Sequence, residues 1–198
     1  MTDLEAALRG IAAELDGHGL RCALVGGLAV GTRAEPRTTR DVDIAVAIAD
    51  DEQAEQLVSD LRASGYETTA IIEQTTLHRL ATERLKAPGR GLRVVVDLLF
   101  SSSGVEPEIA LAAEVLELVP GFHVPVAQTG HLIALKLLAR DDRRRPQDSD
   151  DLRALLSRAG PPDLALARTS CELIVERGAH RGRDLLAALD ELIAGSED

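Results

Sequence analysis

Three carboxylates stand in stretches of sequence that are otherwise apolar. Asp41 and Asp43 lie in "RDVDIAV", and Asp97 lies in "LRVVVDLLF". In an extended strand residues i and i+2 project from one face, so Asp41 and Asp43 converge while Val42, Ile44, Val46 and Ile48 turn the other way. Two like charges held together are costly unless a cation neutralises them. Magnesium suits such a pair, because it takes one or two carboxylates plus substrate phosphates at ~2.0–2.1 Å. Asp97 is hard to explain as structure alone, since an unpaired carboxylate in an apolar strand is expensive. As a third metal ligand it would complete a site able to activate an attacking oxygen and to stabilise a departing polyphosphate.

Other residues fit the same chemistry. Gly26-Gly27 follows an apolar run and opens a helical one, which lets backbone N–H groups approach phosphate with no side chain in the way. Lys136 sits between Leu135 and Leu137 in an apolar helix. There it either snorkels to the surface or points into a cleft, where its ammonium would meet phosphates. Asp148 lies a helical hairpin further on and would either orient Lys136 by ion pairing or cap the next helix. Arg33, Arg37 and Arg40 crowd the loop before Asp41 and are candidates for triphosphate or RNA backbone. Arg143-Arg144-Arg145 reads as a solvated charge run with the same alternative. His78 and His131 read as ordinary surface or core residues.

The elements that must position these groups follow from periodicity. Thr2 and Glu5 form a capping box for a helix reaching about Asp16, with Leu4, Ala7, Leu8, Ile11 and Leu15 on its buried face. A strand is expected over Arg21 to Val25, a helical segment over Leu28 to Thr32, and a loop over Glu35 to Arg40. The Asp41 strand runs to Ile48, and a helix spans Asp50 to about Ser64, closed by Gly65. Tyr66 to Arg84 reads as one or two strands, Pro88-Gly89-Arg90-Gly91 as a turn, and Leu92 to Phe100 as a strand. Glu106 to Glu114 reads as a helix and Val119 to Val126 as a hairpin. Thr129 caps a helix through Arg140, Arg143 to Pro146 breaks it, and helices follow over Asp148 to Arg158, about 163–177 and about 182–194. The fold class is therefore α/β (α+β): a small mixed sheet flanked by helices in residues 1–127, then a helical part in residues 128–198 that completes the cleft.

Composition narrows the function. The 198 residues carry 33 Asp and Glu against 22 Lys and Arg, a net charge of −11. That excludes the broad basic footprint of a general DNA binder. With Phe100, Phe122 and Tyr66 as its aromatics, the chain also lacks a base-stacking platform. Contact with one end of an RNA remains compatible. Cys22 and Cys171 have no metal-type spacing and read as thiols in a reducing cytoplasm. No apolar run reaches the ~20 residues of a membrane span, and the first residues read as a helix, not a signal peptide.

Gly-Gly, then D-x-D on a strand, then a later strand aspartate resembles the nucleotidyltransferase superfamily of DNA polymerase β type. Within it, "LVGGLAV", "RTTRDVDIAV", "VVVDLLF" and "HLIALKLLAR" followed by "RPQDSDDL" resemble the AbiEii-type toxins of toxin–antitoxin systems, in particular their mycobacterial branch. The likeness covers about residues 20–156. It implies Mg²⁺-dependent transfer of a nucleotide, CTP or UTP being the favoured donors, to the 3′ acceptor end of tRNA, which blocks aminoacylation. It places the metal on Asp41 and Asp43, the central lysine on Lys136, and the following acidic position on Asp148 or Asp151. The first-motif glycines and hydroxyl fall on Gly26, Gly27 and Thr39, with Arg40 beside them for the nucleotide. A cognate antitoxin is the implied partner, with a kinase-like protein as one form of it. A phosphate on Thr39 would set roughly −1.5 to −2 charges beside the metal carboxylates. Three other readings stay open: an antibiotic nucleotidyltransferase, a protein AMPylating enzyme, and a degenerate domain that only binds, against which the intact D-x-D argues.

Overall fold

Runs of alternating Val, Ile and Leu make strands in this chain, and apolar residues recurring every three or four positions make helices. In the computed structural model, which describes residues 2–74, 79–89, 94–140 and 146–195, the chain begins with α1 (Asp3–Gly17), β1 (Cys22–Val25), α2 (Gly26–Arg33) and β2 (Asp41–Val46). There follow α3 (Asp51–Ala63), β3 (Glu67–Gln74), β4 (Arg79–Lys86), β5 (Val95–Leu99), α4 (Glu106–Leu111), β6 (Glu114–Val119) and β7 (Phe122–Val126). The rest is helical: α5 (Thr129–Ala139), α6 (Pro146–Leu156), α7 (Pro161–Glu176) and α8 (Leu185–Ala194). His78, Arg90 and Gly91 of the expected turn, and Arg143-Arg144-Arg145 lie outside the described residues. Among the described residues no helix is long and apolar enough to cross a membrane.

The strands form one mixed seven-stranded sheet in the order β3-β4-β5-β2-β1-β7-β6. The strand bearing Asp41 and Asp43 is thus central, antiparallel to β1 and parallel to β5. Its register is fixed by burial: Val42, Ile44 and Val46 are fully covered, and a slip of one residue would push both aspartates into the core. Helix α1 covers one face with Ala7, Leu8, Ile11 and Leu15, its start capped by Thr2 Oγ1 accepting from Glu5 N at 3.2 Å. Helix α5 buries most of its surface and packs against α6, α7 and α8 while touching α2. The helical half is therefore seated on the element that follows Gly26-Gly27.

Three boundaries differ from the periodicity. The helix expected over Glu106 to Glu114 stops at Leu111, and Glu114 opens β6, because Val115, Leu116 and Val119 pair with β7 in a hairpin. Thr129 is the first helical residue of α5 and not its cap; Gln128 precedes it without a side-chain cap bond. Pro146, expected inside the break that follows α5, is already the first residue of α6, a position where the missing N–H costs nothing.

Candidate active site

Strand β1 ends at Val25, directly opposite Asp43, and the chain then turns into α2 through Gly26 at φ +63°. A Cβ at Gly26 would run into the Asp43 carboxylate, and one at Gly27 would run into the Arg37 guanidinium and come within 3.1 Å of Thr39 Oγ1. Only bare backbone lets the start of α2, the carboxylate and the Arg37–Thr39 loop share this space. Gly26→Ala is therefore expected to destabilise the chain by both strain and collision. The check is a divalent-cation titration of the soluble variant beside wild type. Weakened binding is the expected outcome, since the Asp43 side chain must move.

The carboxylates sit in a row across the sheet. Asp43 of β2 is the register partner of Asp97 of β5, and Asp97 is the register partner of Arg84 of β4. Asp41 is exposed at the strand's end, Asp43 is half-buried and Asp97 is buried. Burial, then the neighbouring Asp97 and Asp41 charges, push the Asp43 carboxyl up to about 6, with Lys136 and Arg84 pulling in the opposite direction. Arg84 grips Asp97 with both prongs, Nε to Oδ1 at 2.8 Å and Nη2 to Oδ2 at 2.7 Å. Hydrogen bonding to Asp97 in turn raises the Arg84 pKa further above the ordinary arginine value.

This arrangement departs from a three-carboxylate cage. Among the described residues no group of three His, Cys, Asp or Glu is placed to hold a metal ion, and both Asp97 oxygens accept from Arg84. The donor set still fits magnesium, which keeps several waters and needs only one or two protein carboxylates. Asp41 and Asp43 supply hard oxygens, and the strained charge of Asp43 calls for a cation.

A carboxyl with a raised folded pKa holds a proton that the unfolded chain has already released. Stability from this group is therefore greatest below about pH 4, falls as pH rises towards about 6, and stays low above it. In the absence of divalent cations Asp43→Asn is expected to melt higher than wild type above pH 6. The gap should be about 2–4 °C for each kcal/mol of penalty, closing towards pH 4. Melting curves in chelator across this range check it; a gap that does not vary with pH would remove the titration of Asp43 as its cause.

Lys136 projects from α5 into the same space. Its Nζ lies 2.7 Å from Asp148 Oδ1 and 2.7 Å from Asp151 Oδ2, both aspartates coming from α6 and both buried. The alternatives for the acidic partner thus resolve into a pair: Asp148 accepts a hydrogen bond from Lys136, and Asp151 meets the same ammonium as an ion pair. Arg37, from the loop between α2 and β2, reaches Asp151 Oδ1 at 3.2 Å. Two cations and two carboxylates therefore tie the sheet's loop to the helical half. Asp148 Oδ2 is buried without a hydrogen-bond partner among the described residues.

Other candidates fall elsewhere. Arg33 is consumed structurally, donating to the Ala127 and Val126 carbonyls and pairing with Glu114. Arg40 is exposed beside Asp41. His131 is a core residue whose pKa burial lowers. Cys22 and Cys171 are free thiols, pushed up to about 11 chiefly by burial. Arg84 is the residue that sequence reasoning missed. A cavity of about 270 Å³ borders Gly27 and Arg37 but none of the carboxylates, and its walls include Leu4, Leu8, Leu28 and Phe122. It is a space beside the chemistry, not its seat.

Comparison with known proteins matches this frame. The family described as "Nucleotidyl transferase AbiEii toxin, Type IV TA system" matches residues 7–197. No curated protein matches by sequence. Among solved structures, two of the antibiotic-resistance factor ANT(2″)-Ia align at a TM-score of 0.57. The solution structure is 15% identical and covers 94% of each chain. The complex with adenylyl-2″-tobramycin is 14% identical and covers 90% of this chain and 100% of that one. At these identities the likeness concerns the fold. MenT4, a nucleotidyltransferase toxin of Mycobacterium tuberculosis H37Rv, aligns at 0.48 and 16% identity over 98% of this chain and 92% of its own.

Proposed function

Because the chain belongs to the AbiEii family of nucleotidyltransferase toxins of type IV toxin–antitoxin systems, we propose that it transfers a nucleoside monophosphate from an NTP to the 3′ end of tRNA in the cytoplasm, with Asp41 and Asp43 as the ligands of a magnesium ion. The observation that carries the metal assignment is the Asp43 carboxylate, aligned with Asp97, close to Asp41 and pushed up to about 6. Such a cluster is poised for a cation. Two exposed-to-half-buried oxygens beside a helix N-terminus are where a polyphosphate and its cation meet.

When bound, magnesium supplies Lewis-acid stabilisation of the charge on the α-phosphate and the departing pyrophosphate. Asp41 and Asp43 hold it from one strand face. The N–H groups at Gly26 and Gly27 face phosphate oxygens, with the Thr39 hydroxyl and the Arg40 guanidinium alongside. Lys136, aimed by Asp148 and Asp151, meets the triphosphate from the helical side. The tRNA 3′-oxygen forms a bond to the α-phosphorus, the bond from that phosphorus to the bridging oxygen breaks, and pyrophosphate leaves. Asp97 accepts the hydroxyl proton: Arg84 uses one lone pair on each of its oxygens and leaves the other. CTP and UTP are the favoured donors.

Control by a kinase-like antitoxin acts at Thr39. Its hydroxyl lies beside Gly27 and the Arg37 guanidinium, so a phosphate there would take the ground that an NTP phosphate needs. Intact-mass measurement after co-expression with the antitoxin is expected to show one added phosphate, lost in Thr39→Ala. An unmodified mass would end this reading.

The acceptor is tested by incubating the protein with total tRNA, Mg²⁺ and each α-labelled NTP in turn. Label is expected to enter tRNA from CTP or UTP. A cationic, hydroxylated small molecule is the competing acceptor, favoured by the net charge of −11. Label entering an aminoglycoside and never tRNA would replace the proposal with that reading.

A further inference from the structure

Arg84, Asp97 and Asp43 occupy one level of three adjacent strands. Side chains on neighbouring strands at one level stand ~5 Å apart, close enough to act on one another's charge and ligation. The Arg84 side chain is nearly half exposed at 45%, whereas that of Asp97 is 11% exposed. The grip is two-pronged, the geometry in which arginine holds a carboxylate most firmly.

We propose that Arg84 is a positioning residue that withholds Asp97 from the divalent cation, so that the cation is taken on Asp41 and Asp43 while Asp97 stays aimed at the attacking hydroxyl. The inference rests on the cation assignment made above. Its logic is one of charge and of free donors. Arg84 offsets the Asp97 charge directly, while Asp41 and Asp43 raise one another's cost and have Lys136 only at a distance. Without Arg84 the oxygens of Asp97 would turn to the nearest cation, and the site would become a three-carboxylate cage of higher affinity. A tighter cage would serve the reaction badly, because the carboxylate that faces the hydroxyl would then be committed to metal.

Direct Mn²⁺ titration, followed by the loss of the free-ion electron paramagnetic resonance signal, tests this without any turnover. Arg84→Gln is expected to bind Mn²⁺ about tenfold more tightly than wild type, since a unit positive charge is lost and a ligand is released. Made in an Asp97→Asn background, the same substitution is expected to give only a small part of that gain, because no ligand is left to release. Arg84→Lys keeps the charge but not the two-pronged grip, and is expected to gain about threefold; it carries the test should the glutamine variant fail to fold. Unchanged or weaker Mn²⁺ binding in the folded Arg84 variants would overturn the role of Arg84 and leave the cation site standing. The same gain with and without Asp97 would also overturn it, by reducing Arg84 to a distant charge. No Mn²⁺ binding by wild type or any variant would remove the cation assignment and this inference together.

Discussion

Asp41→Ala is expected to abolish nucleotide transfer while leaving the chain as stable as wild type or more so. Asp41 is exposed at the mouth of β2, where it adds to the charge that raises Asp43 and attracts the Arg84 guanidinium. Removing it therefore costs no packing and relieves a repulsion. The loss of a cation ligand, in contrast, removes transition-state stabilisation of several kcal/mol, a fall of about 10³-fold or more in rate. Label transfer to tRNA and a melting curve on the same preparation measure both. A variant that retains a tenth of the wild-type rate would show that Asp41 does not hold the cation.

Lys136→Met is expected to damage both properties. The ammonium is the shared counter-ion of Asp148 and Asp151, which are buried at 5% and 3% exposure. Breaking a buried pair by deleting one partner leaves uncompensated charge and costs about 3–5 kcal/mol. For a chain of this size that is a melting temperature lower by about 6–20 °C. Transfer falls as well, since the group proposed to meet the triphosphate is gone. The two losses are separable. Asp151 keeps Arg37, so adding Asp148→Asn to Lys136→Met removes the stranded charge, and much of the lost stability should return while transfer stays absent. Return of both together would mean that Lys136 serves the fold alone.

The contrast between these variants shows which parts of the site were legible in the sequence. Asp41 and Asp43 were, because a period of two places them on one face whatever the rest of the chain does. Gly26-Gly27 was, because only a tight turn and a close approach to another group require such a pair. The Lys136–Asp148 pairing was also within reach, since a lysine among leucines needs a partner and a short hairpin brings one back. Arg84 was not. It lies in the weakly patterned β4, and its meaning depends on a strand register set by contacts far along the chain. The same holds for Arg33, which looks in sequence like another phosphate-binding arginine and is spent on the carbonyls of Val126 and Ala127 at the end of β7. The misjudged boundary at Leu111 has a similar cause: Glu114 to Val119 is a strand only because β7 is there to pair with it.

The order of the sheet also sets when the site can exist. Its groups run from Gly26 to Asp151 along the chain, and β2 cannot acquire its parallel neighbour until β5 has been made. A ribosome-bound chain that has emerged only as far as Asp97 holds Asp41, Asp43 and Arg84, yet lacks Lys136 and both of its partners. Synthesis proceeds at about 5–20 residues per second, with the N-terminal part folding first. About 1–5 seconds therefore separate the end of the last strand, Val126, from Asp151. During that interval the chain has Asp41 and Asp43 but not the lysine proposed to meet the triphosphate, and a chain cut short before Lys136 is expected to transfer no nucleotide.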